Sequence, residues 1–115
     1  MAERDTEAAE SEGRMNRATD VPATDVLFPF GQLVATPGAL EVLRRNPSVS
    51  LWTCLSRHLT GDWGDVDEHD RAENELSLRE GFRLLSAYSL PDGKRIWIIT
   101  EADRSATTLL LPDEY

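Results

Sequence analysis

The chain has one cysteine and two histidines in 115 residues. One thiol excludes an internal disulfide framework and a cysteine-based zinc finger within one chain, and two histidines without a close third ligand give little zinc signal. Cations are also scarce: 12 Lys and Arg face 21 Asp and Glu, a formal net charge of −9. That balance argues against sequence-independent DNA or RNA binding, which needs cations to displace counterions from phosphates, although it leaves room for a local basic site. No apolar run approaches the roughly 18 residues of a membrane span. The acidic N-terminus lacks the apolar stretch of a secretory signal. Gly61-Asp62-Trp63-Gly64 has neither the lysine nor the glycine spacing of a phosphate-cradling loop, and no other motif calls for a cofactor. The expectation is a cytoplasmic protein with no membrane segment, no metal and no cofactor.

What is present supports one packed domain. Forty per cent of residues are hydrophobic and three are tryptophan, enough for a single core at this length. Residues 1–25 contribute little to it. Between Met1 and Arg14 stand five acids (Glu3, Asp5, Glu7, Glu10, Glu12) and two arginines. Such a segment cannot offset its ordering entropy, so it reads as a disordered acidic tail. A helix at 6–11 is conceivable but marginal alone, and either Met1 or Met15 could serve as the translation start. The domain then covers 26–115.

Local signals order its elements. Gln32–Thr36 alternates as a short strand. Thr36-Pro37 starts a first helix, with the Thr hydroxyl as cap and Pro at the first helical position; Asn46-Pro47 ends it. Ser48 or Ser50 caps a second helix reaching about Leu59, with Leu51, Leu55 and His58 on one face. Asp65 and Glu68 have the spacing of a capping box for a third helix over Val66–Glu80, and Gly81 suits its left-handed end. From Phe82 the period changes to two. Arg83–Leu90, Lys94–Thr100 and Ala106–Leu111 read as strands, the first two joined by the Pro91-Asp92-Gly93 turn. The fold class is therefore α+β: a strand, three helices and a three-stranded meander, giving helices packed on a three- to four-stranded antiparallel sheet. The edge of the 31–36 strand could pair with a second copy to form a homodimer.

Two groups of residues are candidates for function. Asp62 to Glu80 holds eight acids against Arg71 and Arg79. The plain reading of Asp62, Asp65, Asp67, Asp70, Glu73 and Glu75 is cap residues followed by a solvated helix face. The sharper one is an electronegative surface that meets a basic partner, since dense carboxylates can occupy a phosphate-binding groove and steer association. The spacing is not that of a calcium-binding EF-hand. The second group is His58, Tyr88, Glu101 and Arg104. Histidine and glutamate can move protons and arginine can hold an anion. The plain alternatives are a structural histidine, a packed tyrosine and a Glu101–Arg104 turn pair. His69 reads as an exposed helix residue, Trp63 as packing at a helix junction, and Cys54 as an inert thiol among apolar neighbours.

Three stretches carry a family resemblance: Gly31 to Leu40 (GQLVATPGAL), Arg57 to Asp65 (RHLTGDWGD), and Ser86-Ala87-Tyr88 with Ile96 to Ser105 (IWIITEADRS). Over roughly residues 30–115 the chain resembles short bacterial proteins of plasmids and phage-like elements, known as plasmid-related proteins. The acidic stretch before Met15 departs from that family's short N-terminus. The resemblance implies a mobile-element setting and brings no activity or catalytic residues with it. Helices followed by a meander are also similar to barnase-like and RelE-like ribonucleases, a likeness of architecture alone. RelE-like toxins are usually basic, which this chain is not.

Two functional expectations follow. One is a non-enzymatic accessory protein whose carboxylate-rich surface binds a host or defence protein with a basic face, for example in anti-restriction or anti-CRISPR action by nucleic-acid mimicry. The other is a small hydrolase, a ribonuclease-like nuclease using His58, Tyr88, Glu101 and Arg104 in one cleft. A regulatory or antitoxin partner, whose tail orders on binding, is a further alternative.

Overall fold

The computed structural model of the protein describes residues 26–115; the acidic tail expected over 1–25 lies outside the described residues. Each helix begins at a side-chain cap. The Thr36 hydroxyl accepts the Ala39 amide at 3.0 Å and starts α1 (Pro37–Arg44). Ser50 accepts the Thr53 amide at 3.0 Å and starts α2 (Leu51–Leu59). The third helix, α3 (Glu68–Glu80), starts two residues later than its sequence signal, because Asp67 and not Asp65 accepts the Asp70 amide. Asp65 is engaged elsewhere. Its amide donates to the Ala87 carbonyl at 2.7 Å and its carboxylate accepts the Ser89 hydroxyl. Gly81 closes α3 at φ 79°, a conformation that costs glycine little.

The strands are β1 (Gln32–Ala35), β2 (Leu84–Ser89), β3 (Arg95–Thr100) and β4 (Ala106–Leu110), followed by a short 3-10 turn at Pro112–Glu114. The sheet order is β1-β4-β3-β2. The meander β2-β3-β4 is antiparallel, as its short turns require. The fully antiparallel sheet expected from the sequence is corrected at one place: β1 pairs parallel with β4, Gln32 opposite Ala106 and Ala35 opposite Leu109. Three helices and two strands intervene between them, so no hairpin dictates their direction. The result is an α+β fold with a mixed four-stranded sheet.

The register places Leu84, Ser86, Tyr88, Ile96, Ile98, Thr100, Thr107 and Leu109 on one face, with Leu33 and Ala35. Ala39 and Leu43 of α1 and Cys54 of α2 pack there against Tyr88, Ile96, Ile98 and Leu109. Leu55 and Leu59 of α2 pack with Phe28, Trp63 and Leu84 in an adjoining cluster. Each fully buried aliphatic chain of this face stabilises the fold by roughly 1.5–3 kcal/mol. The opposite face carries Trp97, whose ring meets Tyr115 edge-on at 5.8 Å. Among the described residues no helix is long and apolar enough to cross a membrane.

The edge strand β2 is covered. Asn74, buried inside α3, donates its carboxamide N–H to the Leu85 carbonyl at 2.7 Å and accepts the Leu85 amide at 3.1 Å. One residue pair further, the Ala87 amide donates to the Trp63 carbonyl at 3.0 Å, and Gly64 forms a parallel bridge with Ala87. Gly64 has φ 76°, and a Cβ there would lie 2.0 Å from the Ala87 carbonyl oxygen. The glycine permits both the turn and the close approach.

Candidate functional site

The acidic surface is built on α3 and the segment leading into it. Residues 62–80 hold eight of the fourteen acids and two of the nine Lys and Arg of residues 26–115. The rest of the described chain is therefore close to neutral, with six acids and seven basic residues. The six candidate carboxylates do not share one role. Asp62 is paired: the Arg57 guanidinium grips it at 2.7 and 3.1 Å, and that bond holds its carboxyl below the usual range. Asp67 is the cap of α3, Asp65 accepts from Ser89, and Glu75 accepts the Trp63 indole N–H at 3.2 Å. Among the described residues Asp70 and Glu73 have no hydrogen-bonding or ionic partner for their carboxylates. Glu68 of the same helix lies 3.9 Å from Arg71 and is almost fully solvated, a pair of little strength. The free negative charge of this surface thus sits on Glu68, Asp70, Glu73 and Glu80, and Glu68 and Glu80 extend the sequence-based set.

His58 is fully buried. His58 projects from α2 between the Phe28 and Trp63 rings, at 5.3 and 5.8 Å between centroids. Its Nδ1 meets Ser86 Oγ at 2.6 Å and its Nε2 meets Thr100 Oγ1 at 2.9 Å. Thr100 Oγ1 is 2.7 Å from Thr107 Oγ1, and the Thr107 hydroxyl donates to the Phe30 carbonyl at 2.8 Å. The last acceptor settles every proton in this thread. A carbonyl only accepts, so Thr107 donates to it and must accept from Thr100; Thr100 must then accept from His58 Nε2–H. The neutral ring is left with a bare Nδ1, which accepts the Ser86 hydroxyl. Burial, and then the charge of Arg104, lower the His58 pKa to about 3, so the imidazole is neutral at physiological pH.

Tyr88 and Arg104 are likewise engaged by the fold. The Tyr88 hydroxyl donates to the Asp62 carbonyl at 2.7 Å beneath the Arg57 guanidinium, and burial raises its pKa above the ordinary phenol value. Arg104 has a left-handed backbone, φ 63°. Its guanidinium donates to the carbonyls of Phe82 at 2.7 Å and Ser77 at 3.0 Å, and more weakly to Glu101 and Ala102. It therefore clamps the end of α3 to the β3–β4 loop. The Glu101 side chain is exposed, and the expected side-chain pairing with Arg104 is replaced by a bond from Arg104 to the Glu101 backbone. Of the four groups, two are interior, one is a clamp and one faces solvent. They share no cleft in this arrangement. A cavity of about 280 Å³ between Val42, Lys94, Arg95, Leu111, Pro112 and Asp113 contains none of them. Among the described residues no three of His, Cys, Asp and Glu come together as a metal-holding group. Cys54 is buried, and desolvation raises its thiol pKa.

Comparison with family models, curated proteins and solved structures finds no significant match for this chain.

Sequence reasoning missed four positions that organise this region. Asn74 has a legible signal, an amide within a helix run of Ala, Leu and charged residues, but its partner lies on another strand. Thr100 and Thr107 look like ordinary strand residues, and only the register pairs them. Arg57 stands five residues before Asp62, a spacing that belongs to no regular helix pair and needs the Gly61 turn to close it.

Proposed function

We propose that the protein is a non-enzymatic accessory binder that presents the solvated carboxylates of α3 to a basic groove on a host or defence protein. The observation that carries this reading is the concentration of negative charge: residues 62–80 hold the acidic excess of a domain whose remainder is nearly neutral. Of that charge, Asp70 and Glu73 stay free of internal arginines. Such a one-sided field raises association rates and selects partners built to bind phosphates. The mobile-element setting rests on the family resemblance of residues 30–115, and anti-restriction or anti-CRISPR action is the concrete form it takes. The sealed state of His58 and Tyr88 favours binding over the nuclease alternative, because a general base must reach solvent or substrate.

The test uses the full chain as bait in bacterial extract at low and high salt, with Glu68→Lys, Asp70→Lys and Glu73→Lys combined as the comparison. These positions leave the Asp67 cap and the Trp63–Glu75 bond intact. The expected result is a salt-sensitive partner that the triple variant fails to capture and that duplex DNA or RNA displaces. Equal capture by wild type and triple variant, with both proteins folded by circular dichroism, overturns the reading.

A further inference from the structure

The two edges of the sheet are treated differently. Along β2, Leu85 is occupied by the Asn74 carboxamide, Ala87 by Trp63–Asp65, and the Ser89 side chain by Asp65. Along β1 nothing comparable exists among the described residues. The Gln32 amide donates to Ser105 and the Thr36 amide to Leu109, so the even-numbered residues of β1 face β4. The alternation of the ladder turns the backbone N–H and C=O of Leu33 and Ala35 outward. The strand reads Gln-Leu-Val-Ala and carries no charge, lysine or proline, the usual guards of a free edge. Val34 is 39% exposed beside it, and Leu40, in the first turn of the next helix, is exposed as well.

We propose that β1 is the interface of a homodimer in which two copies of this strand pair antiparallel about a twofold axis through Val34. In that register Leu33 of one protomer exchanges backbone bonds with Ala35 of its partner, and the two Val34 side chains face each other in a non-hydrogen-bonded pair. Such a pair has Cα atoms about 4.5 Å apart. A second copy is the occupant because the uncharged Gln-Leu-Val-Ala edge matches itself and the acidic surfaces stay apart. Pairing through β1 makes one eight-stranded sheet with β2, and the acidic α3 held against it, at each far end. Seven strand spacings separate the two outer strands by roughly 34 Å, several times the Debye length of about 8–10 Å near physiological salt. Pairing through β2 would instead bring the two most acidic surfaces together. The dimer stands independently of the accessory-binder reading, although it would present two α3 faces per particle.

The test combines mass and cross-linking on the full chain. Sedimentation equilibrium is expected to give twice the 12.9 kDa protomer mass for wild type, and the protomer mass for Val34→Lys, which sets like charges directly opposite each other. Val34→Cys is expected to form a disulfide-linked dimer under mild oxidation, since a Cα separation near 4.5 Å lies within the reach of a disulfide. Gln32→Cys, offset along the antiparallel strands, is not. The native Cys54 is buried and supplies no background. A wild-type chain that stays monomeric at high micromolar concentration overturns the proposal. So does a dimer in which Val34→Cys fails to cross-link, a measurement that does not depend on the folding of Val34→Lys.

Discussion

The helices α2 and α3 are attached to the same sheet by different means. Over nine residues α2 buries Cys54, Leu55, His58 and Leu59. Over thirteen residues α3 buries only Asn74 and Ser77, both polar. Apolar burial and the His58 thread hold α2. Directed polar bonds hold α3: Asn74 to Leu85, Arg104 to the Ser77 carbonyl, Trp63 to Glu75, and the Asp67 and Gly81 caps. Leu78 adds a partly buried contact to the Phe28–Trp63 cluster. A helix pinned at a few polar points leaves most of its surface free of packing duties. That surface can carry an unusual density of carboxylates without disturbing the core.

The largest effect is expected in the segment that joins the two helices. Gly64→Ala forces a Cβ to within 2.0 Å of the Ala87 carbonyl oxygen at φ 76°. Backbone strain and overpacking together should cost about 3–5 kcal/mol, read as a shift of the urea midpoint. The same change at Gly81, where nothing lies within 4 Å of an added Cβ, should cost only about 1 kcal/mol, from its left-handed backbone alone.

The hold on α2 depends on pH. The His58 pKa is about 3 in the folded protein and near 6.5 when unfolded. Its contribution is therefore complete above pH 6.5 and is lost as pH falls toward 3. At about 1.4 kcal/mol per unit, stability should drop by roughly 2–3 kcal/mol between pH 6.5 and 4.5. Chemical denaturation at several pH values measures this, and the slope should vanish in His58→Gln. The carboxylates Asp62, Asp92 and Asp103, whose pKa values are lowered by hydrogen bonds, lose their contributions in a lower window, below about pH 4.

The hold on α3 is weakened by Asn74→Ala, which strips both backbone groups of Leu85 of their partner. A loss of about 2 kcal/mol is expected, with faster hydrogen exchange at the Leu85 amide and little change at Ile98. The smallest effect belongs to the surface itself. Glu68→Gln, Asp70→Gln and Glu73→Gln together should cost about 1 kcal/mol at most, chiefly the loss of two first-turn charges from the α3 dipole. A larger fall would mean that the carboxylates take part in holding α3 and are not free for a partner.

Much of the scaffold is legible one segment at a time. Thr36-Pro37, Ser50 and Gly81 mark helix ends because a cap acts over three or four residues. Pro91-Asp92-Gly93 marks the β2–β3 turn for the same reason. The one misplaced start, Asp65 for Asp67, is instructive. Both acids can cap, and the choice falls to Asp67 because Ala87 and Ser89, more than twenty residues away, engage Asp65. The candidate site was less legible. His58, Tyr88 and Arg104 have the side chains that catalysis uses, and nothing local distinguishes a poised group from one already committed. The commitments are Ser86, Thr100, the Asp62 carbonyl and the Ser77 carbonyl, which only the folded chain brings within reach.

The elements, their order and the acidic excess of residues 62–80 follow from the chain locally, since propensity, capping and charge are properties of short stretches. The parallel pairing of β1 with β4, the tautomer of His58, the covering of β2 by Asn74 and Gly64, and the openness of β1 arise only in the folded chain. Each of these depends on which distant residue supplies the missing hydrogen-bond partner of a buried or edge group, and that is set only when the sheet assembles.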